Sequence, residues 1–222
     1  MQRVMARWVR CRRAVISLIV VVCLFLPVIS SCYIPHHFIM EIRVGRDGDY
    51  GLIYNGLLIW VPLYEAAKNH SLSPEEFATK EQAILKDLAR DSSFSSVEPI
   101  GNGQFRVAYE KKGRIRGPAQ VAFPRSGVDV VRIDVRKSGV MYIAVAATAK
   151  PGARKKLESI GLRPQGKMRV ITNAAVLKHN AHRIRHGLDD PNFGDWSTFD
   201  WTISGPDQPT PSLQIQFMAP RK

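Results

Sequence analysis

The sequence predicts an α+β fold: a largely antiparallel, twisted β-sheet with two amphipathic helices packed on it. Three observations predict it. Most of the chain beyond residue 37 alternates apolar and polar side chains, the period of two that a half-buried strand requires. Two stretches, residues 73–91 and 152–162, break that alternation with helical spacing. Gly, Asp and Ser separate the alternating segments at short intervals, which lets neighbouring strands return antiparallel. No internal repeat of about 20 to 50 residues is visible.

The first element is a leader. Arg3, Arg7, Arg10, Arg12 and Arg13 precede the first acid of the chain, Glu41. Residues 14–29 then carry no charge and are rich in Val, Ile and Leu. Charge, then apolar run, then small residues is the layout of a secretory signal peptide. The run is short beside the roughly 20 residues of a transmembrane helix, and Pro27 interrupts it. Ile29-Ser30-Ser31-Cys32 resembles the bacterial lipobox. The resemblance implies diacylglycerol on the Cys32 thiol, cleavage between Ser31 and Cys32, and an acylated new N-terminus. The alternatives are an uncleaved signal anchor, or an ordinary signal cut nearby.

Cysteine usage agrees with lipidation. Cys11 and Cys23 lie inside the leader, so Cys32 is the one cysteine of the mature chain and no internal disulfide can form there. Two or more acyl chains anchor durably where one does not. Tyr33, rather than Asp, follows Cys32, which points to the outer membrane where the envelope has two. The predicted organisation is a signal peptide at 1–31, a lipidated N-terminus with a short spacer at 32–36, one exported domain at 37–218 and a loose tail at 219–222. His36 and His37 fall in or beside that spacer. Removing the five leader arginines takes the formal net charge from +13 to +8. An exported basic chain meets phospholipid headgroups or anionic wall polymers, and the leader argues against nucleic acid.

The segment from His37 to Pro62 reads as a β-hairpin. Phe38, Met40, Ile42 and Val44 share one face, as do Leu52, Tyr54, Leu58 and Trp60 of the return strand. Arg46-Asp47-Gly48-Asp49 supplies the turn, with Gly48 able to adopt positive φ. Asp47 and Asp49 lack the remaining ligands of a calcium loop. In residues 73–91, Ser73 caps a helix, Pro74 suits its first turn and Glu76 completes a capping box. Phe77, Ile84, Leu85 and Leu88 form its apolar face, with Lys80, Lys86 and Asp87 toward water. Residues 103–115 read as a strand with Phe105, Val107 and Tyr109 inward. Residues 128–148 read as a second hairpin about Ser138-Gly139, its return strand apolar on both faces. Residues 152–162 form a short helix closed by Gly161. Residues 167–177, 195–204 and 211–219 read as three late strands.

The order of these parts, closing with Met168 to Ala181 and then Phe199-Asp200-Trp201, resembles the LppM-type bacterial lipoprotein domain. Val170, Thr172, Asn173, Val176, Asn180, Ala181 and Trp201 occupy the matching positions. The His- and Arg-rich insert between Asn180 and Trp201 is longer than that pattern. The resemblance implies an exported lipoprotein domain with lipid or glycolipid contact, and no catalytic residues.

Two stretches invite a functional reading. From Lys150 to His186 there are ten Lys or Arg residues and one acid, Glu158. Arg154, Lys155 and Lys156 gather at a helix start, where cations oppose the macrodipole. They mark either contact with anionic lipid or a solvated face. His179, His182 and His186 stand at i, i+3 and i+7, one face if helical. Lys178, Arg183 and Arg185 beside them repel a metal cation, so no metal or other cofactor is expected. There is no G-x-S-x-G motif and no spare thiol, so no enzyme is expected. The sequence favours a lipid-anchored module that binds or presents an envelope lipid or glycolipid. The alternative is an assembly factor that docks another envelope protein. A large apolar groove favours the first and a flat exposed patch the second.

Overall fold

The computed structural model describes residues 33–125, 129–145, 155, 157–187 and 195–217. Ser31, Cys32, Arg154, Lys156 and the tail 219–222 lie outside the described residues.

Strands β1 (Tyr33–Val44) and β2 (Asp49–Trp60) form the first hairpin. The Gly45 and Asp49 backbones close its turn at 2.8 Å, and Gly48 has φ 93°. A Cβ on Gly48 would meet the Ile115 carbonyl oxygen at 2.2 Å, so only glycine fits. The predicted spacer is corrected here: residues 33–36 already belong to β1, and Tyr33 is 6% exposed. Helix α1 (Val61–Lys68) follows β2 directly and was not expected. It is only eight residues long and begins from Trp60 without a side-chain cap, and Pro62 in its first turn is the one local start signal, which also reads as the end of the preceding strand. Helix α2 (Pro74–Leu88) forms as predicted. The Glu76 backbone N–H donates to Ser73 Oγ at 3.2 Å, and the Ser73 N–H donates to Glu76 Oε2 at 2.9 Å.

Ten further strands follow among the described residues. They are β3 (Phe94–Gly101), β4 (Gln104–Arg114), β5 (Ala119–Phe123), β6 (Val131–Val135), β7 (Val140–Val145), β8 (Gln165–Thr172), β9 (Ala175–His179), β10 (Arg183–His186), β11 (Ser197–Ile203) and β12 (Ser212–Gln216). They form two sheets, a seven-stranded one in the order β10-β11-β8-β1-β2-β4-β3 and a five-stranded one in the order β5-β6-β7-β12-β9. Among the described residues the pairing is antiparallel except between β1 and β8. The α+β class and the largely antiparallel pairing are as the sequence predicts. The single sheet is not, because the chain changes sheets between strands. The stretch 167–177 is one such case: β8 ends in the large sheet at Thr172 and β9 starts in the small one at Ala175. Of the predicted helix at 152–162, the described part is helical at 155 and 157–159. It closes on Gly161 at φ 74°, with N–H bonds from Gly161 to Glu158 and from Leu162 to Leu157. This is the Schellman pattern.

The two sheets share one core. Phe38, Met40, Ile42, Leu52, Tyr54, Leu58, Phe105 and Trp201 from the large sheet join Phe123, Ile133, Met141, Ile143 and Ile215 from the small one. Every face assignment made from alternation in β1, β2, β4 and β6 agrees with burial. Leu88, Ile84 and Leu85 of α2 pack on this core. A second, smaller core covers the outer face of the large sheet near Tyr33. There Ile34 and Ile59 meet Val61 and Tyr64 of α1 and Leu157, Ile160 and Leu162.

Candidate binding groove

A groove of about 480 Å³ runs along one seam of the sandwich. Edge strands β3 and β5 of the two sheets bound it, and the C-terminal end of α2 closes over it. Its apolar lining comes from Leu88, Phe94, Val121 and Pro124, above the ring cluster of Phe94, Tyr109 and Phe123. Its polar lining comes from Asp87, Arg90, Asp91, Lys111, Gln120 and Arg125. The volume falls within the usual range for small-molecule sites, roughly 300–1,000 Å³.

The charged groups of the rim are paired. Asp87 holds Arg125 and, at 3.6 Å, Arg90. Asp91 receives the Ser93 backbone N–H at 3.0 Å and the Tyr109 hydroxyl at 3.2 Å, with Lys111 Nζ at 3.5 Å. Burial by itself would raise the Asp91 carboxyl. The Ser93 hydrogen bonds, the Lys111 charge and the Tyr109 hydroxyl outweigh it and hold the group below the ordinary aspartate range. Burial and the Asp91 charge push the Tyr109 phenol up. A carboxyl depressed in the folded state contributes stability above its unfolded pKa and loses it as pH falls through the folded value. Acid unfolding should show this directly. Asp91→Asn is expected to be less stable than wild type at neutral pH, with the gap closing below about pH 4. A gap independent of pH would mean that Asp91 acts by hydrogen bonding alone.

The structure scatters the residues singled out in the sequence. Lys155 is exposed, and the anionic-lipid cluster predicted around it is otherwise outside the described residues. Arg169 and Arg185, from the same basic stretch, are both held by Asp200, at 2.8 and 3.0 Å, so part of that charge is spent in ion pairs on the sheet's outer face. The histidines do not share a helix face. His179 ends β9, His182 lies in the crossing and His186 ends β10. Their ring nitrogens engage the Ala181 N–H, the Thr202 N–H and Ser197 Oγ. Among the described residues no group of three or more His, Cys, Asp or Glu is arranged to hold a metal.

Positions taken from the late stretch do come together. Asn180 sits where the chain passes from β9 in the small sheet to β10 in the large one. Its Oδ1 accepts from Trp201 Nε1 at 3.0 Å and from the Ser212 N–H at 2.8 Å, and its Nδ2 donates to the Thr210 carbonyl at 2.7 Å. Asn173 accepts the Arg46 N–H at 2.8 Å, tying the β8–β9 crossing to the first hairpin turn. These are structural fastenings, not groove residues. Sequence reasoning missed the groove because its walls come from four separated segments. The one local signal was Asp91-Ser92-Ser93 after the helix, which is an Asx turn.

No protein-family model and no curated protein matches the chain. A search of solved structures finds similarity to the folded domain of Mycobacterium tuberculosis LppM, determined by NMR. The match covers 84% of this chain and 93% of that one, at 13% identity and a TM-score of 0.41.

Proposed function

We propose that this chain is a lipid-anchored protein of the bacterial cell envelope whose exported domain holds an envelope lipid or glycolipid in the seam groove. The observation that carries the reading is the composition of the groove. Apolar side chains of Leu88, Phe94, Val121 and Pro124 beside the paired charges of Asp87, Asp91, Lys111 and Arg125 suit an amphiphile, with an acyl part against the first group and a hydrogen-bonding headgroup at the second. The lipobox-like Ile29-Ser30-Ser31-Cys32 supports anchoring, and Tyr33 after Cys32 supports the outer membrane where two membranes are present.

Native mass spectrometry on protein purified gently from membranes tests the groove. Wild type is expected to carry an adduct with the mass of a lipid. Val121→Trp, which fills the groove, is expected to lose it while keeping the wild-type circular dichroism. A bare mass for wild type would sink the reading. Cys32→Ala tests the anchor: the chain should accumulate as precursor or leave the membrane fraction. Unchanged mobility and retention would instead show an uncleaved signal anchor.

A second reading has its own observation. Beyond the cover of α1, the outer face of the large sheet exposes Ile39 (65%) beside Lys167 and Arg183. Such an apolar island ringed by charge favours docking of another envelope protein. Ile39→Asp would then lose a partner captured by crosslinking in intact cells, with the lipid adduct unaffected.

A further inference from the structure

We propose that the end of the sandwich built from Tyr33, Trp60, α1 and the turn Ile100–Gly103 is a membrane-contacting face, seated on the headgroups of the bilayer that holds Cys32. The proposal rests on the lipid-anchor reading above. Its first support is the missing spacer. Tyr33 is one Cα step, about 3.8 Å, from Cys32, and it is fixed in β1 opposite Trp60 with their rings 4.7 Å apart. A domain joined so closely cannot stand off from its anchor.

The second support is what that end displays. The Trp60 N–H donates to the Gly103 carbonyl at 2.9 Å, which brings the β3–β4 turn beside the start of α1. Gly101, Asn102 and Gly103 have φ of 88°, 53° and 69°, a tight turn that leaves Ile100 39% exposed at its base. Trp60 and Tyr64 are half-buried, the placement in which an amphipathic ring suits a membrane interface. Lys68, Lys155 and Arg163 are exposed around the small second core, together with Glu158. The Arg163 carbonyl is held by His36 Nδ1 at 2.8 Å, so this segment is fastened to β1. Apolar tip, half-buried aromatics and flanking cations together make an interfacial surface, with anionic phospholipid as its partner.

Burial at this end also reaches the groove. The phenol of Tyr33 is raised by burial and feels the charges of Arg125 and Asp87, which form the groove wall. The wall therefore lies close to the residue that follows the anchor.

The test uses the full lipidated chain in vesicles of phosphatidylglycerol and phosphatidylcholine. Processing leaves Trp60, Trp196 and Trp201 as the emitters. Phosphatidylcholine brominated near the headgroup end of its acyl chains is expected to remove about a third of the emission, since one tryptophan in three lies at the contact. Trp60→Phe should abolish that loss, and Ile100→Ser should reduce it by about half with the chain still vesicle-bound. Retention on vesicles with no loss, or an equal loss in Trp60→Phe, overturns the contact face alone. A chain that stays in the aqueous phase overturns the anchor reading and this proposal together.

Discussion

Phe123→Ala is expected to cost about 3 to 5 kcal/mol of folding stability. Phe123 ends β5 in the small sheet and has no exposed surface. Its ring reaches across to the large sheet, 4.6 Å from Tyr54 and 4.6 Å from Tyr109, with Phe94 at 6.0 Å. Truncation removes the transfer energy of a full aromatic side chain and leaves a cavity that two rigid sheets cannot collapse. For a chain of this length that corresponds to a fall in melting temperature of roughly 8 to 15 °C. Phe94→Ala is the internal comparison. Phe94 is only partly buried at the groove, so its loss should cost clearly less. Equal losses, or a loss under about 1 kcal/mol for Phe123→Ala, would mean that the sheets do not share this core.

The contrast between these two phenylalanines shows what a sequence conveys. Phe123 stands in Ala119–Phe123, where Ala122 blurs the apolar–polar contrast that Arg132 and Asp134 give the equally short β6, and neither its strand nor its burial was expected. The alternating faces of β1, β2, β4 and β6 were legible, because period-two patterning is a local record of which side meets the core. The capping box of α2 was legible for the same reason, since Ser73 and Glu76 are three residues apart. Sheet membership was not legible. Alternation states that a strand has a buried face and is silent about which sheet provides the cover. The groove was lost with it, because Asp87, Lys111, Val121 and Arg125 meet only after two edge strands from different sheets are brought together. The histidine run misled for a related reason. Spacings of three and seven were read with a helical period, while the backbone there passes from β9 to β10.

Gly56→Ala is expected to cost about 3 to 5 kcal/mol, from backbone strain and from overpacking together. The pairing of β1 with β2 shifts between His36 and Ile39, which leaves His37 and Phe38 opposite the single residue Gly56. This is a β-bulge, with His37 at φ 44° and Gly56 at φ 155°. A Cβ on Gly56 would stand 2.6 Å from Phe38 Cα and 2.9 Å from the His37 carbonyl oxygen, backbone atoms that cannot turn aside. The bulge changes the parity of β1. Tyr33 and Phe38 are an odd number of residues apart, yet both enter the main core, while Ile34 turns outward to the second core under α1. Without the extra residue one of these two arrangements would invert. Gly56→Ala should therefore do more than lower the melting temperature. It should also loosen the Tyr33–Trp60 end, seen as a red shift of Trp60 emission measured against Trp60→Phe in the same background. A destabilised variant with unshifted Trp60 emission would show that the bulge relaxes locally. The Tyr33 end would then be held by α1 and the 157–162 segment without it.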